Sequence, residues 1–313
     1  MKIALDVMGG DFAPGTTVAG AILARQELPE NIELVLIGDK GKIVDIANEK
    51  GFDPSSFEII HTTEVIEMGE HPSKAFSQKQ DSSIVKGFGL LKSGQVDAFA
   101  SVGNTGAMMA GSMFIIKSIP GIIRPTISAA IPSLTGGSTL LLDVGINPDC
   151  RPDVLYQYGI IGSLYSKYIF NIETPRVGLL NIGAEEEKGN LLTKSTHDLM
   201  KGSNDFYFAG NIEGNDLFNN EKADVIVCDG FVGNVILKEA EAFYNMLKLK
   251  KVEGEFFERF NFVNYGGTPI LGINKPVFIG HGISNAIAIK NMIVNSKVFI
   301  EAKLTEKFKE VFE

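Results

Sequence analysis

Along most of this chain, short apolar segments alternate with longer segments whose apolar residues recur at helical spacing. Residues 3–7, 33–37 and 57–60 read as strands, and residues 16–25 and 42–50 read as helices. Strands that alternate with helices favour a sheet of parallel strands covered by helices on both faces. The pattern therefore predicts the α/β class, with three layers and a mostly parallel sheet.

The alternation continues to the end of the chain, where further helices are predicted at residues 82–91, 105–116, 153–170, 188–200 and 283–312. The polar stretch 67–80 lacks a clear period and is interpreted as a surface loop, with a binding loop or lid as the alternative. No repeat or low-complexity linker marks a boundary. We therefore predict a single domain over residues 1–313, built from two lobes.

Several later strands run directly into a turn rich in Gly, Asn and acidic residues. These strands, at residues 97–102, 139–142, 177–180, 206–209, 225–228 and 277–279, precede turns at 103–106, 143–147, 181–190, 210–216, 229–234 and 280–285. Such turns gather at the carboxyl ends of parallel strands, where ligands bind. Gly allows close backbone approach, and the following helix directs free N–H groups at an anion. The turns predict a site for phosphate and a carbonyl group.

Composition narrows the class of protein. The chain of 313 residues is 44% hydrophobic and carries a net charge of -9, which disfavours non-specific binding to nucleic acid or to an anionic membrane. Cys150 and Cys228 show neither CxxC nor zinc spacing, so we expect reduced thiols. The N-terminus is charged too early for a secretory signal, and no apolar run is long enough to span a membrane. A cytoplasmic protein is expected.

Two turns supply the first candidate residues. In the opening segment, Asp11 is suited to capping the helix after Pro14, and Asp6 at a strand end is the better candidate to face the cleft. The string Gly103-Asn104-Thr105-Gly106 offers the amide, hydroxyl and backbone donors that a phosphate or acyl oxygen needs. Simple helix capping by Asn104 or Thr105 is the alternative interpretation.

The turn at residues 181–190 is more specific because three consecutive glutamates, at positions 185–187, precede Lys188. A solvated charge run is one interpretation. The other is that some carboxylates face the cleft while Lys188 stabilises developing negative charge.

Several known signatures are absent or incomplete. There is no Walker-type phosphate loop, and no GxGxxG follows the first strand. Gly282-Ile283-Ser284-Asn285-Ala286 resembles a degenerate nucleophile elbow, but no histidine follows His281, so a serine-hydrolase triad is not expected. The four histidines share no metal-ligand spacing. We therefore predict neither a metal nor a cofactor.

Taken together, the motifs resemble the PlsX family, the phosphate acyltransferases that act on acyl carrier protein. The resemblance runs from Lys2 to the last helix and rests on strings in a fixed order. They are LDVMGGDFAP (5–14), SVGNTGA (101–107), LDVGIN (142–147), LNIG (180–183) with 185–190, GNIEG (210–214), CDGFVGN (228–234), YGG (265–267) and HGISN (281–285).

The resemblance implies a fold similar to isopropylmalate dehydrogenase, isocitrate dehydrogenase and phosphotransacetylase. It implies reversible transfer of a fatty acyl group from acyl carrier protein to inorganic phosphate. The acyl phosphate then feeds a membrane glycerol-3-phosphate acyltransferase in phospholipid synthesis. Expected partners are the carrier protein, phosphate and a second copy of the chain in a homodimer, but no nucleic acid.

The candidate site residues combine the turns with this resemblance. The catalytic candidates are Lys188, Asn234 and His281. The substrate-binding candidates are Asp6, Gly103, Asn104, Thr105, Gly106, Asp143, Asn147, Asn181, Glu185, Asn211, Glu213 and Asp229. The candidates for docking the carrier protein are Lys248, Lys250 and Lys251.

Residues 235–264 depart from the family. Many relatives carry a longer helical hairpin here, linked to dimer contacts and peripheral membrane association. In this chain Ile236, Ala240, Phe243 and Leu247 recur at helical spacing before the lysines. We predict a shortened helical segment that contributes to the dimer contact.

Two other classes of function were weighed. A metal- and NAD-dependent hydroxyacid dehydrogenase of the related fold would need an arginine cluster for its substrate, whereas only Arg124 and Arg151 lie near the motifs. A non-enzymatic adaptor for carrier protein would not need so many polar turns.

Overall fold

The computed structural model describes residues 1–313. Its strands are β1 (Lys2–Asp6), β2 (Glu33–Gly38), β3 (Glu58–His61), β4 (Ala98–Ser101), β5 (Thr126–Pro132), β6 (Ser138–Leu142), β7 (Arg176–Leu180), β8 (Tyr207–Ile212), β9 (Val225–Val227), β10 (Thr268–Leu271) and β11 (Val277–Ile279). Its α-helices are α1 (Gly15–Glu27), α2 (Lys40–Glu49), α3 (Pro72–Gln78), α4 (Ser83–Ser93), α5 (Thr105–Gly111), α6 (Pro152–Ile169), α7 (Leu191–Lys201), α8 (Gly230–Leu249), α9 (Glu255–Glu258), α10 (Ala286–Glu301) and α11 (Leu304–Phe312).

The chain divides into two compact units, and the first comprises Met1–Ser118 and Phe262–Thr305. Its strands lie in the order β3-β2-β1-β4-β11-β10. β1 pairs in parallel with β2 and β4, and β4 pairs in parallel with β11, whereas β10 is antiparallel to β11. The carboxyl ends of β1, β4 and β11 therefore lie side by side.

The second unit comprises Ile119–Asn261 and Glu306–Glu313. Its strands lie in the order β5-β6-β9-β7-β8. β9 pairs in parallel with β6 and β7, and β7 pairs in parallel with β8, whereas β5 is antiparallel to β6. The turns that follow β6, β9, β7 and β8 therefore share one edge of this unit.

Burial explains why these segments form the interior. Every residue of β4 and of β9 is buried, as expected of parallel strands that helices cover on both faces. In the first unit α1 and α10 approach closely at Gly20, where a Cβ would lie 2.4 Å from the Cβ of Ile289. The absence of a side chain at this position permits that packing.

The predicted α/β class with a mostly parallel sheet is confirmed, but some elements differ from the prediction. The stretch 67–80 is not one loop, because α3 forms with Pro72 at its first turn, a position that proline tolerates. The predicted helix 105–116 divides into α5 and a π-helical turn, Ser112–Ile116. Strands β5 and β10 lie outside the prediction because small residues and prolines weaken their strand signal.

Helix α8 occupies much of the predicted segment 235–264. Ile236 and Leu237 pack against the core of the second unit. The opposite face is apolar and exposed at Val235, Met246 and Leu249. The dimer contact stays a prediction. No helix in the structure combines the length and apolar character needed to cross a membrane.

Candidate active site

In the first unit, the glycine turns that follow β1, β4 and β11 contact one another. A Cβ on Gly9 would lie 2.6 Å from the Cα of Gly103, and a Cβ on Gly10 would lie 3.2 Å from the carbonyl oxygen of Gly282. The N–H of Asp11 donates to that same carbonyl at 2.8 Å. The backbones of these turns therefore approach one another closely at this edge.

The turn after β4 carries unpaired backbone donors. The N–H groups of Asn104, Thr105 and Gly106 donate to no protein acceptor. The Thr105 side chain is exposed beside them. This arrangement can donate several hydrogen bonds to one oxyanion.

Asn104 has a different role from the predicted direct contact with phosphate. Its Oδ1 accepts the N–H of Ala107 at 2.9 Å and so caps α5. Its Nδ2 lies 3.0, 3.2 and 3.1 Å from the carbonyl oxygens of Glu67, Met68 and Glu70. Both hydrogens of the amide are therefore occupied, and the side chain fixes loop 67–70 rather than offering a donor to a ligand. The capping interpretation is confirmed.

The expectation that Asp6 faces a cleft is wrong, because its side chain is fully buried. Its Oδ1 accepts the N–H groups of Met8 and Gly9 at 2.9 and 3.1 Å, and its Oδ2 accepts the Ser101 hydroxyl at 2.7 Å. Burial raises the pKa of this carboxyl, while the hydrogen bonds that it receives act in the opposite direction. Asp6 therefore holds the turns together from below.

Asp11 was expected to cap the first helix, and this is also wrong. Helix α1 begins after Pro14 without a capping side chain. The N–H of Asp11 instead joins the Gly282 turn, as described above.

In the second unit, Asp143 and Asn147 brace their own turn. Asp143 is fully buried; its Oδ1 accepts the N–H groups of Gly145 and Ile146, both at 3.2 Å. Its Oδ2 accepts the N–H of Asn147 at 2.7 Å and the Nδ2 of the same residue at 2.9 Å. Asn147 Nδ2 also lies 2.8 Å from the hydroxyl of Tyr158. These buried groups shape the backbone of the turn.

The first turn of α8 packs on that braced turn. Asp229 caps the helix by accepting the N–H groups of Phe231 and Val232 at 3.0 and 2.9 Å. A Cβ on Gly233 would lie 1.8 Å from the carbonyl oxygen of Asp143, so only glycine fits. Half-buried Asn234 donates from Nδ2 to the carbonyl of Val144 at 3.3 Å, which leaves its Oδ1 with no protein donor.

The turn at residues 181–190 is held by buried amides and displays Lys188. Asn181 donates from Nδ2 to the carbonyl of Lys188 at 3.2 Å, and Asn211 donates to the carbonyl of Glu185 at 2.8 Å. The Lys188 side chain is exposed and forms no ion pair, whereas Glu186 pairs with Lys201 at 2.6 Å. Lys188 is therefore not held as the counter-ion of its glutamate neighbours.

Two further predicted residues, Glu213 and His281, contact side chains of their own unit. The N–H of half-buried Glu213 donates to Asp216 at 3.3 Å, where a 3₁₀ turn begins. The ring of His281 packs edge to face on Phe262, with 4.9 Å between ring centroids.

The predicted docking lysines stand where α8 ends. Lys248, Lys250 and Lys251 are exposed and form no ion pair. The ammonium of Lys248 lies 5.5 Å from the centroid of the Tyr244 ring. Their positive charges are therefore available at the surface.

Sequence reasoning missed Ser101 and the contact of Asn104 with residues 67–70. Ser101 is a fully buried hydroxyl at the end of β4. A polar residue that closes an apolar strand directly before a glycine turn is a usable signal, since buried hydroxyls need partners. The residues that Asn104 contacts in loop 67–70 precede it by 34 to 37 positions, so no local sequence pattern marks this contact.

These features define the class of fold. The chain is similar to a phosphotransacetylase from Streptococcus pyogenes, with a TM-score of 0.65, 18% identity, and coverage of 96% of this chain and 94% of that one. It is also similar to a 4-hydroxythreonine-4-phosphate dehydrogenase from Klebsiella pneumoniae, with a TM-score of 0.53, 12% identity, and coverage of 94% and 96%. The predicted likeness to transacetylase and dehydrogenase folds is confirmed.

Sequence comparison then identifies the family. Residues 1–307 match the family model described as fatty acid synthesis protein. A phosphate acyltransferase from Dictyoglomus turgidum is 42% identical over 333 aligned residues, covering 99% of this chain and 97% of the relative. The chain belongs to this family, which is the PlsX family, and it is an acyltransferase. Family membership supports neither a dehydrogenase nor a non-enzymatic adaptor.

Proposed function

We propose that this protein reversibly transfers a fatty acyl group from acyl carrier protein to inorganic phosphate. A phosphate oxygen attacks the thioester carbonyl carbon, the carbon–sulfur bond breaks, and the carrier thiolate leaves and takes up the proton that the attacking phosphate loses. The products are acyl phosphate and free carrier. The observation that carries the proposal is the full-length similarity to phosphate acyltransferases.

The glycine turns of the first unit support a role in holding phosphate. The free N–H groups of residues 104–106 and the Thr105 hydroxyl suit a tetrahedral oxyanion. Apolar side chains surround these turns: Phe12 and Ile283 are each 57% exposed, and Met68 is 42% exposed. Met68 lies against Gly282, since a Cβ there would be 2.8 Å from its Cε. These apolar groups suit the acyl part of the substrate.

In the second unit we assign Lys188 to the negative charge that develops on the carbonyl oxygen. Its exposed ammonium is unpaired, and buried amides hold the backbone carbonyls of Glu185 and of Lys188 itself. A preorganised cation of this kind needs little rearrangement during the reaction. Asn234 and His281 remain the further catalytic candidates. Asp143, Asn147 and Asp229 contribute by shaping the turns that carry them.

The partners follow from this chemistry. The carrier protein is expected to dock on the exposed lysines after α8. The exposed apolar face of α8 suits a contact with a second copy of the chain. Acyl phosphate is expected to pass to a membrane glycerol-3-phosphate acyltransferase, with this protein in the cytoplasm or peripherally bound to the membrane.

One assay tests the proposal. Acyl carrier protein thioester is incubated with the enzyme and phosphate, and both acyl phosphate and free carrier thiol are measured. We expect equal amounts of the two products, dependent on phosphate. Thiol release without acyl phosphate would indicate hydrolysis and contradict the proposal. NAD reduction with a hydroxyacid substrate, in place of acyl transfer, would favour the dehydrogenase.

A further inference from the structure

Two buried polar side chains join the turns of the first unit. Asp6 ends β1 and Ser101 ends β4, and neither has any exposed surface. The Ser101 hydroxyl donates to Asp6 Oδ2 at 2.7 Å and accepts the N–H of Gly103 at 2.9 Å. Asp6 Oδ1 accepts the N–H groups of Met8 and Gly9. A single carboxylate therefore ties together the backbone of both turns.

The donors fix the direction of this chain of hydrogen bonds. A backbone N–H can only donate, so Ser101 Oγ must act as the acceptor for Gly103. The single hydroxyl proton of Ser101 is then directed at Asp6, which accepts hydrogen bonds on both of its oxygens. The peptide plane of Gly103 is thereby held, and the free N–H groups that follow it are held with it.

Packing leaves these turns little freedom to adjust. A Cβ on Gly9 would lie 2.5 Å from Asp6 Oδ2 and 2.7 Å from the nitrogen of Gly103. A Cβ on Gly103 would lie 3.1 Å from both Asp6 Oδ2 and Ser101 Oγ. The two polar side chains fill the space directly beneath the glycines. Any change in their hydrogen bonds is therefore transmitted to the backbone above.

Asp6 is an unusual residue for a fully buried position at the end of a strand. Burying a charged group is costly, and apolar residues of similar volume are often equally or more stabilising. We propose that Asp6 and Ser101 are positioning residues that orient the turn at residues 103–106 for phosphate. The proposal rests on the function proposed above. It assigns Asp6 a role below the site, without direct contact with substrate.

The decisive comparison is Ser101→Ala against Ser296→Ala. Ser296 is a matched control, because it is fully buried in the same unit and its hydroxyl donates to the Met292 carbonyl at 2.8 Å, within α10. We expect Ser101→Ala to raise the KM for phosphate roughly tenfold, the equivalent of one hydrogen bond. The KM for the carrier thioester should stay unchanged, and Ser296→Ala should match the parent for both substrates.

Asp6→Asn separates positioning from stability. The new side chain keeps an acceptor for Met8 and Gly9 but turns an NH₂ donor toward Ser101. We expect the KM for phosphate to rise while the melting temperature is retained, because the neutral amide occupies the same volume as the carboxyl group. A readout independent of turnover is the rise in melting temperature caused by inorganic phosphate, which should shrink in both Ser101→Ala and Asp6→Asn.

Several results would overturn the proposal. They are an unchanged KM for phosphate in a folded Ser101→Ala variant, an equal rise in KM for both substrates, and failure of both variants to fold. If the parent enzyme makes no acyl phosphate, the proposed function fails. The thermal shift with phosphate then still decides the positioning role, and an unchanged shift in both variants would refute it.

Discussion

The turns of the two units present different groups to a ligand. In the first unit, glycine backbones pack on each other and a buried carboxylate holds them from below. In the turn at residues 181–190, buried amides hold the backbone while Lys188 extends into solvent without an ion pair. The first region therefore offers backbone N–H groups in a packed turn, and the second offers an unpaired charge on a turn whose backbone is hydrogen-bonded.

The difference suggests how the work is divided. Backbone donors in a packed turn suit a ligand of constant shape such as phosphate. They stabilise bound phosphate both in the ground state and in the transition state. An unpaired ammonium next to the reacting carbonyl gains most from negative charge that develops during the reaction, and so favours the transition state over the ground state. Substitutions in the first region should change binding or stability, and those in the second should change turnover.

The largest effect is expected for Lys188→Ala. Loss of a preorganised group that stabilises developing charge should lower kcat by about 10²–10³ with a small change in KM. Steady-state kinetics of acyl phosphate formation provide the measurement. Lys201→Ala is the control. It also removes a lysine, but one that forms an ion pair with Glu186. Near-normal turnover in Lys188→Ala would place this residue outside the chemistry.

Gly9→Ala should destabilise the protein through steric overlap between the glycine turns of the first unit. The new methyl group would lie 2.5 Å from Asp6 Oδ2 and 2.6 Å from the Cα of Gly103, so backbone must shift. We expect a loss of about 1–3 kcal/mol in the free energy of unfolding, measured by chemical denaturation. In Gly89→Ala, the control, the methyl group meets no atom within 4 Å in helix α4, and stability should rise by about 0.5–1 kcal/mol. Equal stability of both variants would show that the turns are not tightly packed.

The comparison also shows which features can be read from sequence. All strands except β5 and β10, the glycine turns and the charged run that contains Lys188 follow from local patterns of apolar, glycine and charged residues. The roles of Asp6 and Asn104 do not, because they depend on which partners the topology brings together. Asp6 meets Ser101 across 95 residues, and Asn104 meets Met68 across 36. A strand-end carboxylate can face a ligand or hold a turn, and only the pairing of β1 with β4 distinguishes the two.

Thr105→Val tests whether a side chain assists the backbone donors. The substitution keeps the shape of the exposed side chain but removes its hydroxyl. Loss of one hydrogen bond to phosphate should raise the KM for phosphate up to about tenfold. Thr105→Ser keeps the hydroxyl and should stay near the parent value. A Val variant with unchanged phosphate dependence would assign binding to the backbone alone.

The smallest effect is expected for the lysines that follow α8. Changing Lys248, Lys250 and Lys251 together to Glu reverses a surface patch that forms no ion pair. Exposed charge pairs contribute little each, so the KM for the carrier thioester should rise roughly three- to fivefold at low ionic strength. The difference should disappear at high salt because screening removes the attraction.

A charge-matched control changes the exposed Lys42, Lys50 and Lys92 to Glu and should not alter the KM for the carrier thioester. If the KM for the carrier thioester rises equally in both triple variants, the net charge of the protein governs the encounter. If it rises only in the variant of Lys248, Lys250 and Lys251, and does so at every salt concentration, these residues act through packing. A small thioester without the carrier protein should react equally well with all three proteins, because it has no acidic surface to dock.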